Sequence, residues 1–509
     1  MVLVDSLVKV KPGQFYGIEI EDFPCQVAQL SILLMKHLMD RELSDYFGMN
    51  IIDFPIRENA NIVRGNALRL DWKDVCPAEK LDYIIGNPPF LGASMMTEQQ
   101  KNEAVTIFGK IPLSNSIDYV GAWYHKACAF IQDKPIKVCF VSTNSICQGE
   151  QVKPLWDKLL RFYHLEIQFA YRTFLWSNEA KGKAAVYCII VGFELGNSNQ
   201  KKKLFDELGR LSFVDHINPY LVDAPDILVE SRARPICNVP RVTMGNKPTD
   251  DGAFILSSDE KDEIIKSDSS SSRYIREYIG SYEFINGTTR YCLWLKDTGL
   301  AWATNKEIVK RVEHVRQFRL RSSAKPTREK ADTPAIFFSP VQPESNYILI
   351  PRVSSEKRRY IPMGIMSKDV IASDSASIVH TDSLYCFSIL TSNVHMSWMR
   401  TVGGRLKSDY RYSGSIVYNT FPWPNESIEI HETIERTAQK IIDTRAKYEN
   451  ATMATLYDNT LMPPDLRRAH QDNDRAVWEA YGRAWPIGDE SACVAHLMKL
   501  YQAKVSEIC

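Results

Sequence analysis

The 509 residues predict an α/β fold: an open, parallel sheet with helices on both faces, followed by further domains. Three observations carry that expectation. Short apolar runs of strand length alternate with segments of helical period across residues 15–193. Several runs stop at a glycine or a carboxylate, as strands do where a parallel sheet presents its C-terminal ends. Beyond residue 240 the pattern changes to short β-like runs mixed with charged helices, and beyond residue 426 to helical period alone.

The first run, Phe15-Tyr16-Gly17-Ile18-Glu19-Ile20-Glu21-Asp22, reads as a strand closing on acidic residues. Phe23, Val27, Leu30, Leu34 and Leu38 then recur at helical spacing. A carboxylate at the end of a parallel strand can accept both hydroxyls of a ribose. The next strand and turn is Asn61-Ile62-Val63-Arg64-Gly65-Asn66-Ala67-Leu68.

The most informative run is Ile84-Ile85-Gly86-Asn87-Pro88-Pro89-Phe90. An apolar strand ends in glycine and a stiff turn follows. Two prolines fix φ and lack N–H groups, so the loop is rigid and its carbonyls are left to accept from elsewhere. Asn87 offers a side-chain acceptor and a donor. With the aromatic ring of Phe90, the set suits a flat, amino-bearing ring. Downstream, Ser116-Ile117-Asp118-Tyr119 opens an apolar helix to residue 131, and Lys137-Val138-Cys139-Phe140-Val141-Ser142 reads as a buried strand. Strands near residues 165–170 and over 184–193 complete the set.

Asn87-Pro88-Pro89-Phe90 after a strand resembles motif IV of the S-adenosylmethionine-dependent amino-methyltransferases, above all the N6-adenine DNA methyltransferases. The resemblance implies that Asn87 Oδ1 and the Pro88 carbonyl accept from the target amine, and that Pro89 stiffens the loop. Phe90 would stack on a base taken out of the helix. It further implies that Glu19 holds the ribose of S-adenosylmethionine, with Ile20 against its adenine. Asn66, with Ala67 beside it, stands where the family often carries an Asp for the cofactor's adenine amino group. The order of these motifs is also the family's.

That family's sheet normally opens with a strand and a glycine-rich turn. The fourteen residues before Phe15 contain no such pattern and are too few for a strand, loop and helix of roughly 25–30 residues. The expected fold is therefore a class I, Rossmann-like methyltransferase sheet lacking its first βα unit. The central strand would be absent, leaving unpaired edges or a rearranged partner. An upstream polypeptide supplying that unit, or an endonuclease, is an expected partner, with weak cofactor binding and little activity otherwise.

In its second half the chain resembles the MmeI-type restriction-modification fusions. The resemblance is strongest over residues 398–413, which contain Arg405, Lys407 and Arg411, and continues through Tyr418-Asn419-Thr420-Phe421-Pro422-Trp423-Pro424. It implies a mixed α+β target recognition domain and a small helical C-terminal domain. Expected boundaries are 1–196 for catalysis, 197–239 for a linker, 240–425 for recognition of double-stranded DNA and 426–509 for the helical tail. Arg405, Lys407 and Arg411 are candidate contacts to phosphates or base edges. That this segment instead packs the recognition domain onto the catalytic domain is an alternative of at least equal weight. A basic helix is expected over 304–323, and from 301 to 360 thirteen Lys and Arg face six Asp and Glu. Such residues neutralise phosphates, although a solvated helix face would look the same. A serine run at 268–272 reads as a surface loop. In the tail, helices are expected from residue 428 and around 474–484, on either side of Leu461-Met462-Pro463-Pro464.

Composition sets limits. The net charge is zero, so nucleic-acid binding has to come from local patches. No run approaches the ~20 apolar residues of a membrane span, and the first ten residues are no signal peptide. Eleven scattered cysteines without a C-x-x-C pair suit a reducing cytosol, and argue against disulfides and a zinc site. Pro24-Cys25-Gln26 resembles the nucleophile of cytosine C5-methyltransferases, but it stands at the start of a helix on the cofactor side. Cys25 is expected to be a buried helix residue. Glu179-Ala180-Lys181 is half of a nuclease motif, of a kind expected by chance.

The expected activity is N6-adenine methylation at a short site in duplex DNA, with S-adenosylmethionine as donor and no metal. A catalytically inactive recognition module is the alternative. Cytosine N4, as the chemically similar exocyclic amine, and glutamine amides or RNA bases are further substrates that such a loop can serve.

Overall fold

The computed structural model of the chain describes residues 9–48, 59–109, 116–176, 186–196, 198–425 and 428–508. Two compact units form: Met1–Ile146 with Lys153–Ile217, and Cys147–Val152 with Asn218–Cys509.

In the first unit, strand β1 (Tyr16–Glu19) leads into helix α1 (Asp22–Phe47) and pairs in parallel with β2 (Asn61–Arg64). The short helix α2 (Trp72–Val75) follows, capped by Asp71, whose side chain accepts from Lys73 N. Strand β3 (Tyr83–Gly86) begins a separate sheet. Helices α3 (Glu98–Phe108) and α4 (Gly121–Phe130) precede β4 (Lys137–Thr143), and α5 (Val152–Arg161) precedes β5 (Leu165–Trp176) and β6 (Val186–Leu195). Two further strands, β7 (Lys202–Phe205) and β8 (Leu211–Val214), complete a sheet ordered β3-β4-β6-β5-β7-β8.

This sheet is mixed, whereas the alternation of strands and helices predicts parallel strands. β3 and β4 are parallel, but β6 runs antiparallel to both β4 and β5. Apolar runs in doubly covered strands report burial and not direction, which is why the reversal is invisible in the letters. Under the sheet, Tyr124 of α4 packs its ring against Phe140, Trp156 and Phe193, and all four side chains are buried. Burial of each stabilises by about 1.5–3 kcal/mol.

The polar stretch at 197–203 is expected to be a linker, yet Lys202 and Lys203 belong to β7, which extends the sheet beside β5. Lys202 is 1% exposed and its ammonium lies 3.1 Å from Glu166 Oε1. It also donates to Gln168 Oε1 and Ser198 O. A buried cation with its donors paired is a core residue, and its letter alone reads as surface.

Helix α1 forms where the spacing places it, but Phe23, Val27, Leu30, Leu34 and Leu38 are exposed rather than packed on a sheet. Among the described residues, β1 pairs only with β2 and β3 only with β4.

The second unit holds two four-stranded sheets. One orders Ile255–Leu256, Arg290–Leu293, Ile275–Ile279 and Ile371–Ala372; the other orders Gly364–Met366, Tyr347–Pro351, Ala376–Val379 and Val242–Met244. A smaller sheet joins Val353–Ser354, Asp409–Arg411 and Gly404–Leu406. The basic helix is present as Lys306–Leu320, capped by Asn305, whose side chain accepts from Glu307 N and Ile308 N. Its Ile308, Val312 and Val315 enter a core with Phe254, Tyr278 and Trp302.

Residues 335–338 are not a strand, although Phe337 is buried in that core. The serine run forms a 3-10 helix, Ser269–Tyr274, begun by an Asp268 cap and burying Ser271. The tail carries helices Ile428–Ala446, Pro464–Ala480 and Glu490–Ile508. The second starts ten residues before the expected 474, because Pro464 occupies its first turn, where a missing N–H costs nothing. Glu179-Ala180-Lys181 lies outside the described residues. No helix among the described residues is long and apolar enough to cross a membrane.

Candidate active site

Gly86 ends β3 with its Cα against a ring: a Cβ there would meet Phe140 carbons at 3.1 and 3.2 Å. A larger residue would need the Phe140 ring to give way by a few tenths of an ångström, so glycine is the residue that lets the strand end sit this close to β4. Asn87 is then exposed, Pro88 buried, Pro89 exposed and Phe90 half-buried. The loop is held by its buried Pro88 and leaves the polar amide of Asn87 exposed.

The chain beyond Phe90 is tied down from the start of α4. Tyr119 N donates to Leu91 O at 2.9 Å, and Ala93 N donates to Asp118 Oδ1 at 3.0 Å. The other oxygen, Asp118 Oδ2, accepts from Ser145 Oγ, which also lies 2.9 Å from Thr143 Oγ1. Asp118 thus joins the loop after the tetrapeptide to the end of β4. Motif reading places Asp118 at a helix start but gives no hint of this tie, because its partners are 25 and 27 residues away.

On the cofactor side, Glu19 stands at the end of β1. Its Oε1 accepts from its own neighbours, Ile20 N at 2.8 Å and Glu21 N at 3.2 Å. This fixes the carboxylate at the strand end and leaves Oε2 to accept. Ile20 is exposed. Cys25 is buried in the first turn of α1, its thiol directed at Glu19 O at 3.6 Å. Burial and the nearby Glu19 and Asp22 carboxylates push that thiol up from its usual range, the reverse of what an attacking thiolate needs.

Asn66 lies in the turn that follows β2, where its Oδ1 accepts from Leu68 N at 2.9 Å. Its side chain also reaches Glu103 and Tyr119. Glu103 Oε1 accepts from Arg69 Nε at 2.8 Å, and its other oxygen accepts from the Tyr119 hydroxyl. Burial and the Glu103 carboxylate raise the phenol of Tyr119. Burial would raise Glu103 as well, but the donors Tyr119 and Arg69 outweigh it and hold the carboxyl low. Ala67 O accepts from Trp72 Nε1 at 2.9 Å. The Asn66–Ala67 turn is therefore braced from α2, α3 and the start of α4, by residues that no local motif marks.

In the second unit, Arg405, Lys407 and Arg411 share one hairpin. Lys407 takes a left-handed φ of 58° at its tip, and Arg405 stacks 4.2 Å over the Tyr410 ring. Arg411 is exposed on the strand beside Val353. The aromatic stretch after the hairpin is packing: Tyr418, Phe421 and Trp423 are buried, and Tyr418 OH donates to Pro240 O at 2.7 Å.

Comparison with known proteins places these features in a family. Three family descriptions match in succession: "MmeI, DNA-methyltransferase domain" over residues 2–206, "MmeI, target recognition domain" over 223–425 and "MmeI, C-terminal domain" over 429–509. DNA methyltransferase A of Bacillus subtilis (strain 168) is 39% identical over 495 residues, which are 96% of this chain and 56% of that protein. The chain therefore spans about half the length of this curated relative. The solved structure of the Type IIL restriction-modification enzyme MmeI in complex with DNA is 43% identical, with a TM-score of 0.87 over 99% of this chain and 68% of that one. With this identity, coverage and domain order, the chain belongs to the MmeI family.

Proposed function

We propose that the chain directs transfer of a methyl group from S-adenosylmethionine to adenine N6 at a short site in double-stranded DNA, as part of a restriction-modification system. The observation that carries this reading is the Asn87–Phe90 loop, rigid at Pro88 and exposed at Asn87, at the C-terminal end of β3. Membership of a methyltransferase family supports a methyl donor.

The residues at the ends of β1 and β2 suit a nucleoside. Glu19 has an oxygen left to accept ribose hydroxyls, and exposed Ile20 offers an apolar surface to a base. Asn66 spends its carbonyl on Leu68 N and Ala67 spends its own on Trp72, so their part is to shape the turn that borders the base. When bound, S-adenosylmethionine supplies an electrophilic methyl group on sulfur.

The N6 lone pair is delocalised into the adenine ring. Asn87 Oδ1 and the Pro88 carbonyl, accepting its two protons, favour a tetrahedral nitrogen and stabilise the charge it gains. Phe90 stacks on the extruded base. None of the four loop residues is a base, so the amine's proton leaves to water. Arg405, Lys407 and Arg411 contact phosphates or base edges. A second reading, recognition without catalysis, is favoured by one observation: β1, which ends at Glu19, and β2, which leads to the turn at Asn66, hydrogen-bond as a pair apart from the main sheet among the described residues.

The test is transfer of tritiated methyl groups from S-adenosylmethionine to unmethylated genomic DNA, by the chain alone and by the chain with a polypeptide encoded beside it. Asn87→Ala is the control. Incorporation lost in the variant supports the reading. DNA binding without incorporation in either mixture overturns it in favour of the recognition module.

A further inference from the structure

The turn that borders the proposed cofactor site follows β2, and the loop that faces the target amine follows β3. Among the described residues these two strands lie in different sheets, so strand hydrogen bonds do not set the separation of turn and loop. One carboxylate spans it. Glu103 stands midway along α3, with its side chain 8% exposed and both oxygens in use. Its Oε1 accepts from Arg69 Nε at 2.8 Å, and Arg69 N donates to Asn66 O at 2.9 Å within the turn. Its Oε2 accepts from the Tyr119 hydroxyl. Tyr119 N in turn donates at 2.9 Å to the carbonyl of Leu91, the residue after Phe90. Tyr119 is buried, with its ring edge-on to Trp123 at 5.1 Å. The contacts therefore run unbroken from Asn66 through Arg69, Glu103 and Tyr119 to Leu91. A buried carboxylate meeting two fixed donors has little freedom to move, because leaving either donor unpaired is costly.

We propose that Glu103 and Tyr119 are a positioning pair that fixes the distance between the methyl donor and the target amine. The pair rests on the methyl-transfer reading and adds to it two residues that touch neither substrate. Reacting atoms have to be held about 3–3.5 Å apart, and a misplacement of about 1 Å can cost about 10²-fold in rate. Here the donor is bordered by the turn at one end of the pair and the amine is held by the loop at the other. Glutamine can replace Glu103 in this role. Its amide oxygen accepts from Arg69, and its NH2 group donates to the tyrosine oxygen, which accepts as readily as it donates.

The test follows single-turnover methylation of genomic DNA and thermal melts of the same variants. Tyr119→Phe keeps the ring and the bond to Leu91 and deletes only the hydroxyl. Tyr119→Phe and Glu103→Ala should each lower the rate constant by roughly 10- to 100-fold, with DNA affinity nearly unchanged. The double variant should be no slower than Glu103→Ala, since both changes break one link. Glu103→Gln should recover most of the rate when Tyr119 is present. Wild-type rate in Tyr119→Phe, or losses that multiply in the double variant and follow the melts, overturns the proposal. Amide hydrogen exchange on the free chain, without DNA or methyl donor, separates this failure from failure of the methyl-transfer reading. Tyr119→Phe should speed exchange by roughly tenfold in peptides covering residues 66–70 and 91–93 together. That result with no incorporation by wild type keeps the link and counts against methyl transfer. Faster exchange in one peptide alone, or in neither, overturns the link itself.

Discussion

Asp118 Oδ1 accepts the backbone N–H of Ala93 at 3.0 Å, three residues beyond Phe90. A charged acceptor on a main-chain donor is worth about 1.5–3 kcal/mol. Here it sets where the chain goes after the proposed catalytic loop. Asp118→Ala should lower the methylation rate constant by about 10- to 100-fold with a smaller change in the Michaelis constant for DNA. Asp118→Asn retains an acceptor for Ala93 and should recover part of the loss. Single-turnover kinetics alongside thermal melts separate loop positioning from general destabilisation.

Arg319 is fully buried in the second unit, with its guanidinium donating to the carbonyls of Thr249, Lys330, Thr333, Pro248 and Ile336. Substitution by leucine would strand several of these acceptors, each costing about 1–3 kcal/mol. Arg319→Leu should destabilise by roughly 3 kcal/mol or more, seen as a lower urea midpoint of the second unit. Arg319→Lys should fare little better, since three donors cannot meet five carbonyls.

Arg319 also shows where sequence reading stops. The positions of the strands up to residue 193 and the loop at Asn87 are readable because turn chemistry is local: glycine, two prolines and a terminal carboxylate announce it within a few residues, whereas the direction of β6 and the existence of β7 are not. Nor are partners distant in the chain. Arg319 belongs to the basic run that suggests phosphate contacts, yet its charge is spent on its own backbone, and Arg311 likewise serves Ala253 O and Glu260. Lys202 reads as linker and is a buried strand residue. Helix α1 reads as packed and is exposed, because periodicity reports an apolar face without reporting what covers it.

Cys25 and Asn87 make opposite claims on the chemistry. The thiol is buried beside Glu19 with its proton held more tightly than usual, so Cys25→Ser should leave methyl transfer within about twofold. Asn87→Ala removes the acceptor for the target amine and should cost about 10²- to 10³-fold in rate, with DNA affinity nearly unchanged. Filter-bound methyl incorporation and fluorescence anisotropy on the same two variants check both halves. A large loss with Cys25→Ser would overturn the direct-transfer reading.

The Lys202–Glu166 pair should make the first unit sensitive to acid. Burial raises the Glu166 carboxyl, but Ser198 N, Lys202 and Gln168 outweigh it, so the group sits below its ordinary value of 4.5. A carboxyl depressed in the folded state binds fewer protons there than in the unfolded chain. Its contribution to stability is therefore present above pH 4.5 and is lost as pH falls through the lower folded value. Glu166→Gln removes that dependence and leaves the Lys202 ammonium buried without its counter-charge. The variant should be less stable than wild type at pH 7, and the gap should narrow as pH falls below 4.5. Urea titrations of both proteins between neutral and acid pH measure it. A gap that stays constant across that range would show that the pair holds β7 to β5 by packing and neutral hydrogen bonds alone.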